Sequence, residues 1–259
     1  MPPAAEPTDL NQPGPQERAG SLGGLRALAF LAGLALAWQF LPDRTVLPLA
    51  DRLNAWLLGQ GWDVPYAHFT VYFLYCLADT LIALSVVIIG ARACRMSDEE
   101  IGWRWPVSGT SFVWAVVLVP PVLLAVYAVD LLPDVFFFHR FPALHWRLDS
   151  AWGQWANPTA YHRFFTRAML TPIGEELVYR GLLQGALRAR LGSRVAVLGT
   201  AALFASIHPY VGAAHLVGQF GSALLFGVLR ERSGSVAPPI LAHVIWNQWT
   251  SVVKFLPRY

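Results

Sequence analysis

The chain has 259 residues, of which 55% are hydrophobic and only 14% are charged, with a net charge of +3. Soluble globular proteins carry about 25% charged residues, so this composition excludes a soluble domain, a disordered chain or a coiled coil as the whole protein. The basic residues are almost all arginines placed between apolar runs, which is typical of membrane topology and does not indicate nucleic-acid binding. Cys76 and Cys94 lack the spacing of a metal site or a disulfide framework.

The N-terminal part of the chain predicts a polar tail followed by a membrane region. Residues 1–21 are rich in proline, glycine and polar groups and predict a disordered tail without the basic stretch of a cleaved secretory signal. Residues 22–110 contain apolar segments at Leu22–Leu41 and Ala67–Gly90, each near the length of about 20 residues that spans a bilayer. Between them, Val46–Leu58 is amphipathic and predicts a separate helix lying in the membrane interface.

Residues 111–259 form a second membrane region with five further apolar segments. In chain order these are Phe112–Leu132, Tyr161–Leu187, Val195–His208, Tyr210–Leu229 and Ala237–Leu256. The expected fold is an all-α, polytopic transmembrane bundle of about seven spanning helices plus the interfacial helix. Arginines concentrate in the loops after the second, fourth and sixth segments, which favours a multi-pass protein of a bacterial plasma membrane with a cytoplasmic N-terminus.

Five ionisable residues lie in or beside the last four apolar segments, where a buried charge costs about 2.5–3.5 kcal/mol. They are Glu175, Glu176, Arg180, His208 and His243. Because such groups usually face a bundle interior or a water-filled cavity, we expect them to converge on one polar pocket.

The spacing in the fourth segment separates the two glutamates. Residues four apart share a helix face, so Glu176 can pair with Arg180, whereas Glu175 is rotated from Glu176 by about 100°. In a soluble helix this pattern is most often a structural salt bridge, but burial in an apolar segment argues for more than that. One carboxylate can therefore be structural while the other is free to act as a general base.

The remaining polar residues form two pairs that share helix faces. Phe204 and His208 are four apart at the end of the fifth segment, and His243 and Asn247 are four apart in the seventh. A carboxylate and a histidine can hold and deprotonate a water, and a histidine and an asparagine can donate to a developing oxyanion. The set favours hydrolysis of an amide by water, since no serine or cysteine stands in a recognised nucleophile motif.

Taken in order, the three motifs resemble the signature of the CPBP family, the CAAX-protease and bacteriocin-processing membrane proteins. That signature reads E-E-x-x-x-R, then F-x-x-x-H, then H-x-x-x-N or H-x-x-x-D. It stands here as Glu175-Glu176 with Arg180, Phe204 with His208, and His243 with Asn247. The resemblance covers roughly residues 112–249, from the third segment into the seventh.

The resemblance implies a helical intramembrane protease of the glutamic type. By it, Glu175 is the base that activates water, His208 helps to position that water, and His243 and Asn247 form the oxyanion site. Supporting roles fall to Glu176, Arg180 and Phe204. No cofactor is expected; two histidines and a glutamate from separate helices can also hold zinc, and the metal-free mechanism is preferred.

The implied partners are the lipid bilayer and a membrane-associated protein or peptide substrate, with no nucleic acid. Two other functions stay open as alternatives. One is a non-catalytic membrane interaction or immunity protein that uses the motifs for packing. The other is a proton-coupled transporter, because buried glutamates and histidines also form proton relays, although no inverted repeat of broken helices supports it.

Overall fold

In the computed structural model, residues 22–104, 108–122, 168–208 and 213–254 are described, and their regular structure is entirely helical. In chain order the elements are α1 (Leu22–Gly59), α2 (Val64–Ala93), α3 (Asp98–Ile101), α4 (Gly109–Val122), α5 (Leu170–Glu176), a π-helical segment (Leu177–Leu183), α6 (Gln184–Leu191), α7 (Ser193–Ser206), α8 (Ala213–Ser233) and α9 (Ala237–Lys254). The predicted all-α class is therefore confirmed. The tail predicted over residues 1–21 lies outside the described residues.

The first two helices pack side by side as an antiparallel hairpin. Its short turn includes Gly61, whose φ of 82° lies in the left-handed region that glycine adopts without strain. Further from the turn, the indole Nε1 of Trp38 on α1 donates to the carbonyl of Asp79 on α2 at 3.3 Å. Leu31 lies against Gly90 near the other end of α2. These contacts pair early residues of α1 with late residues of α2, as an antiparallel hairpin requires.

The separate interfacial helix predicted over Val46–Leu58 is wrong, because α1 runs unbroken through this stretch. It does so although Pro42 and Pro48 lie inside it, and each proline removes a backbone hydrogen bond. The physical reason is packing against α2. Leu57 of α1 is buried against Ala67 and Val71 of α2, with Ala50 and Leu53 beside them. This tertiary contact holds the second half of α1 helical where the local sequence predicts a break.

Two of the described helices, α1 and α2, are long and apolar enough to cross a membrane. Only 22% and 28% of their most apolar stretches are buried inside the protein. Their outer faces expose large apolar side chains, such as Phe40 and Leu81, and such faces match lipid better than water. Of the shorter helices, α4 and α7 are also apolar. The count of about seven spanning helices stays a prediction.

The C-terminal segments are helical over the parts of them that the structure describes. The fourth starts at Leu170 after a turn and continues to Leu191, with a π-helical middle that the sequence does not predict. The third is described only to Val122, so its predicted second half lies outside the described residues. The last two begin at Ala213 and Ala237 and are long, continuous helices.

The central helix, residues 170–191, comprises α5, the π segment and α6, and it lies between two layers. On one side α2 runs parallel to it: Ala83 lies against Gly174, and Gly90 lies against Leu182 further along. On the other side α7, α8 and α9 approach it. Every residue of the π segment is buried, so this part of the central helix faces protein in all directions.

The far end of the central helix is held by α3 and by an arginine of α8. The Arg230 guanidinium donates to the carbonyls of Glu99 at 3.2 Å and Glu100 at 2.9 Å. The chain turns at Gly102, whose φ is 82°, and a Cβ there would lie 2.5 Å from the Arg230 guanidinium carbon. Gly185 of α6 packs on the carbonyl of Glu100 so closely that a side chain has no room. Thus α3 packs directly on α6, and Arg230 connects α3 to α8.

Candidate active site

The two glutamates occupy the last turn of α5, directly before the π segment. In that segment the backbone bonds from residue i to i+5, as the Gln184 N–H does with the Tyr179 carbonyl. Such π segments occur often at functional sites. The change of helical pitch starts immediately after Glu176, so Arg180 does not follow the ideal α-helical geometry on which the sequence prediction rests.

Glu176 is fully buried and is held from two directions. One carboxylate oxygen, Oε2, lies 3.2 Å from Arg180 Nε. No aligned hydrogen bond forms between these two atoms, so the contact is an ion pair. The other oxygen, Oε1, lies 2.8 Å from His243 Nδ1 on α9. The pairing with Arg180 follows the predicted spacing, whereas the bond to His243 is a finding of the structure.

The Arg180 side chain is enclosed by aromatic rings and backbone. It is fully buried, and its guanidinium carbon lies 4.9 Å from the ring centre of Phe204 and 5.5 Å from that of Phe226. One of its terminal nitrogens donates to the carbonyl of Ala223 at 3.1 Å. Cation–π contacts of this kind strengthen when water is excluded. The guanidinium is therefore a positive charge held in a fixed position next to Glu176.

His243 lies between the two carboxylates. Its Nδ1 faces Glu176 at 2.8 Å and its Nε2 lies 3.5 Å from Glu175 Oε2. Its ring stacks on Phe226, with centroids 4.7 Å apart and planes inclined by 21°. This stacking and the bond to Glu176 set the orientation of the imidazole, so both of its nitrogens are directed toward acidic groups.

The contacts of His243 restrict where its protons can lie. A carboxylate only accepts hydrogen bonds, so Nδ1 must carry a proton to bond to Glu176. If the ring were neutral, Nε2 would then present a lone pair to Glu175, and two acceptors would face each other. A further proton on Nε2 or on Glu175 removes this conflict. It also balances the charge, because two carboxylates and the Arg180 guanidinium alone leave one negative charge in a buried site.

The two carboxylates differ in access and in partners. The Glu176 side chain is 0% exposed, whereas the Glu175 side chain is 13% exposed. Glu176 is fixed by Arg180 and His243 together, whereas among the described residues the contact of Glu175 is the longer one to His243. Glu175 is therefore the more accessible of the two carboxylates.

His208 lies at the end of α7 and is positioned by Phe204. Its Nδ1 lies 2.8 Å from the Phe204 carbonyl, and the two rings are 4.8 Å apart. A carbonyl only accepts, so Nδ1 carries the proton and Nε2 of the neutral ring is an acceptor. The Phe204 ring also meets His243 at 5.8 Å with an interplanar angle of 76°. Phe204 thus contacts both histidines.

Asn247 lies one turn after His243 on α9 and is half-buried. It has an interaction of its own within the molecule. Across residues 22–104, 108–122, 168–208 and 213–254, no three His, Cys, Asp or Glu side chains are arranged to hold a metal ion. Of the predicted site residues, the structure brings Glu175, Glu176 and His243 into contact. Arg180 contacts Glu176, and Phe204 contacts His243.

Two aromatic residues of this region are missed by the sequence analysis. Phe226 stacks on His243 and faces Arg180. Tyr179 is buried and packs edge-on against Phe204, with centroids 5.3 Å apart and planes at 88°. Phenylalanine and tyrosine are common in apolar helices, so neither carries a signal in the sequence; contact with the ionisable residues alone reveals them.

Comparison with known families identifies a family for the part of the chain that carries these residues. Residues 157–249 match the family described as type II CAAX prenyl endopeptidase Rce1-like. This region is Rce1-like. The match contains all three motifs and confirms the resemblance to the CPBP and CAAX-protease family that they predict. No curated protein and no solved structure matches the chain.

The Rce1-like family consists of integral membrane peptidases that act on membrane-associated proteins. The apolar helices α1 and α2 are compatible with such a location. Both helices lie outside the Rce1-like range, and yet they pack directly against the helix that carries the glutamates.

Proposed function

We propose that the chain is an intramembrane endopeptidase in which Glu175 activates water for attack on a peptide bond. The observation that carries this is the contact of His243 with both glutamates, 2.8 Å from Glu176 and 3.5 Å from Glu175. A purely structural salt bridge needs one carboxylate and Arg180. A second, partly exposed carboxylate beside a histidine is the arrangement that general base catalysis requires.

In the proposed reaction, the proton between the two residues resides on His243 Nε2, and Glu175 is ionised. Glu175 removes a proton from water while the water oxygen bonds to the peptide carbonyl carbon. The carbonyl oxygen becomes an oxyanion and accepts hydrogen bonds from His243 Nε2–H and from Asn247. When the carbon–nitrogen bond breaks, the proton held by Glu175 passes to the departing amine. The side chains are then restored to their starting protonation.

The other residues of the site have supporting roles in this proposal. His208 accepts a hydrogen bond from the same water through Nε2 and so orients it. Glu176 holds Nδ1–H of His243 and thereby fixes the ring, while Arg180 forms the buried ion pair with Glu176. Donors that face the developing oxyanion contribute about 10²–10³ in rate each, so loss of Asn247 is expected to slow the reaction without abolishing it.

The two glutamates give the sharpest test. Glu175→Gln removes the base and is expected to abolish cleavage of a peptide substrate in proteoliposomes while folding is preserved. Glu176→Gln keeps an oxygen that accepts from His243 and is expected to retain part of the activity. Glu99→Gln is the matched control, because this side chain is 72% exposed and pairs with Arg104 away from the site. Cleavage by Glu175→Gln at the wild-type rate refutes the proposal.

Metal dependence is tested separately. The proposed mechanism uses no metal, so chelator treatment followed by dialysis is expected to leave activity unchanged. Loss of activity that only added zinc restores would instead assign His208, His243 and Glu175 to a metal site.

The proposal also includes a class of substrate and a cellular location. The family's name, type II CAAX prenyl endopeptidase, suggests a protein or peptide anchored at the bilayer as the substrate. We also propose that the chain is a multi-pass protein of a bacterial plasma membrane, and the arginine distribution supports a cytoplasmic N-terminus. Cysteine labelling from each side of inverted and right-side-out vesicles tests this orientation through Cys94, which follows α2 directly.

A further inference from the structure

The glutamate-bearing helix is braced by the N-terminal hairpin, outside the Rce1-like range. The residue that makes this contact is Trp38 of α1, whose side chain is buried at 3% exposure. Its Nε1 donates to the Asp79 carbonyl on α2 at 3.3 Å, so the indole is fixed by the neighbouring helix. Its ring then faces the central helix at two places, Gly174 and Tyr179.

The first place is the residue directly before Glu175. A Cβ built on Gly174 would lie 3.5 Å from Trp38 Cζ2 and 3.1 Å from the Ala83 methyl group. The backbone of the central helix therefore sits in a notch formed by α1 and α2. One turn earlier, the Thr80 hydroxyl of α2 lies 3.1 Å from the Leu170 carbonyl. Together these contacts set the height and rotation of the turn that carries the glutamates.

The second contact of Trp38, with Tyr179, begins a series of contacts between aromatic rings that ends at His208 and His243. Trp38 meets Tyr179 with centroids 6.2 Å apart and planes at 64°. Tyr179 packs edge-on against Phe204 at 5.3 Å. Phe204 in turn contacts His208 at 4.8 Å and His243 at 5.8 Å. Close-packed interiors transmit strain, and these ring contacts connect the indole to both imidazoles.

We propose that Trp38 is a positioning residue of the active site, which holds Glu175 and the two histidines in register through Gly174 and Tyr179. This rests on the proposed function insofar as the positioned groups are those of the peptidase. Reacting groups must be placed within a fraction of an ångström, and a misplacement of about 1 Å can cost on the order of 10²-fold in rate. The N-terminal hairpin is thus a part of the catalytic unit.

Three variants separate positioning from general stability. Trp38→Ala removes the ring and is expected to lower kcat on the order of 10²-fold with KM changed by less than about threefold. Trp38→Phe keeps a ring against Tyr179 but loses the hydrogen bond to Asp79 and the Cζ2 edge of the indole that faces Gly174, so kcat is expected to lie between those of wild type and Trp38→Ala. Trp56→Ala is the matched control, a tryptophan on the same helix that is 59% exposed, and it is expected to leave kcat unchanged.

A spectroscopic measurement tests the same inference without catalysis. With ¹⁵N-histidine in detergent micelles, the ring resonances of His208 and His243 are assigned by their loss in His208→Gln and His243→Gln. Trp38→Ala is expected to shift both sets of resonances in folded protein, and Trp56→Ala is expected to shift neither. If Trp38→Ala leaves both the ring resonances and kcat as in the wild type, the positioning role is overturned.

The peptidase proposal and the positioning role of Trp38 are contradicted by different experimental results. If Glu175→Gln is fully active, the proposed chemistry fails, but shifted histidine resonances in Trp38→Ala still establish the coupling of the hairpin to the site. If Trp38→Ala lowers kcat and Trp38→Phe lowers it equally, the ring contact is not the cause and the inference fails.

Discussion

Replacing Arg180 by methionine removes the buried guanidinium that contacts Glu176 while keeping a long apolar side chain beside Phe204 and Phe226. The ion pair is completely buried, with both side chains at 0% exposure. The variant therefore leaves a carboxylate in the interior with His243 as its remaining contact. Breaking a buried pair by removing one partner typically costs 3–5 kcal/mol, because the other charge stays buried without compensation.

A cost of about 3–5 kcal/mol lowers the folding equilibrium constant roughly 10²–10⁴-fold, since each 1.4 kcal/mol is a factor of ten. The lost hydrogen bond to the Ala223 carbonyl adds to this effect. The double variant Arg180→Met with Glu176→Gln removes the uncompensated charge, and its neutral amide oxygen still accepts from His243. We expect the double variant to be more stable than Arg180→Met alone, because buried pairs couple strongly and non-additively.

The assay is reversible unfolding in mixed detergent micelles, with the free energy of unfolding compared between variants. Arg188→Met is the matched control, since Arg188 is 44% exposed and its ion pair with Glu231 has a nitrogen–oxygen distance of 3.3 Å. Exposed pairs contribute about 0–1 kcal/mol, so this variant is expected to stay close to wild type. The reasoning is refuted if Arg180→Met costs no more than Arg188→Met, or if the double variant is less stable than the single one.

Two further predictions concern the end of the central helix and the cysteine after α2. Gly185→Ala places a methyl group onto the Glu100 carbonyl, and overpacking of this kind is expected to cost about 1–3 kcal/mol of unfolding free energy. Gly199→Ala, whose nearest neighbour would lie 3.8 Å away, is expected to stabilise its helix instead, and equal effects would contradict the packing argument. Burial raises the pKa of the Cys94 thiol and the Arg190 guanidinium lowers it, so Arg190→Ala is expected to slow maleimide labelling of Cys94 near pH 8, measured with the other cysteine replaced by serine. Labelling as fast as in the unsubstituted chain would contradict this.

The local sequence was sufficient to predict an interaction between residues of the same helix. The pairing of Glu176 with Arg180 follows from their separation of four residues, and the structure has it at 3.2 Å. The membrane character of α1 and α2 follows from composition. The predicted break before Val46 is wrong because it depends on a contact between two helices. Pro42 and Pro48 favour a break locally, but Leu57 packs on Ala67 of the next helix, and this contact is not visible in the sequence around the prolines.

Contacts between helices could not be predicted in the same way. His243 bonds to Glu176 across 67 residues of sequence, and Phe226 and Trp38 reach the site from other helices. Which side chains meet depends on the rotation and height of each helix relative to its neighbours. Those quantities are set by small residues such as Gly174 and by the π segment after Glu176, neither of which is visible as a spacing in the sequence.

By itself, the sequence determined that the protein is an apolar, helical chain with ionisable side chains grouped in its C-terminal half, because hydropathy and periodicity are local properties. It also determined that Glu175 and Glu176 point in different directions. Only the tertiary structure decided that His243 joins them, that Glu175 is the accessible one, and that α1 supports them from outside the Rce1-like region. The reason is physical: a helix fixes angles within itself, whereas the approach of two helices is decided by how all their side chains pack together.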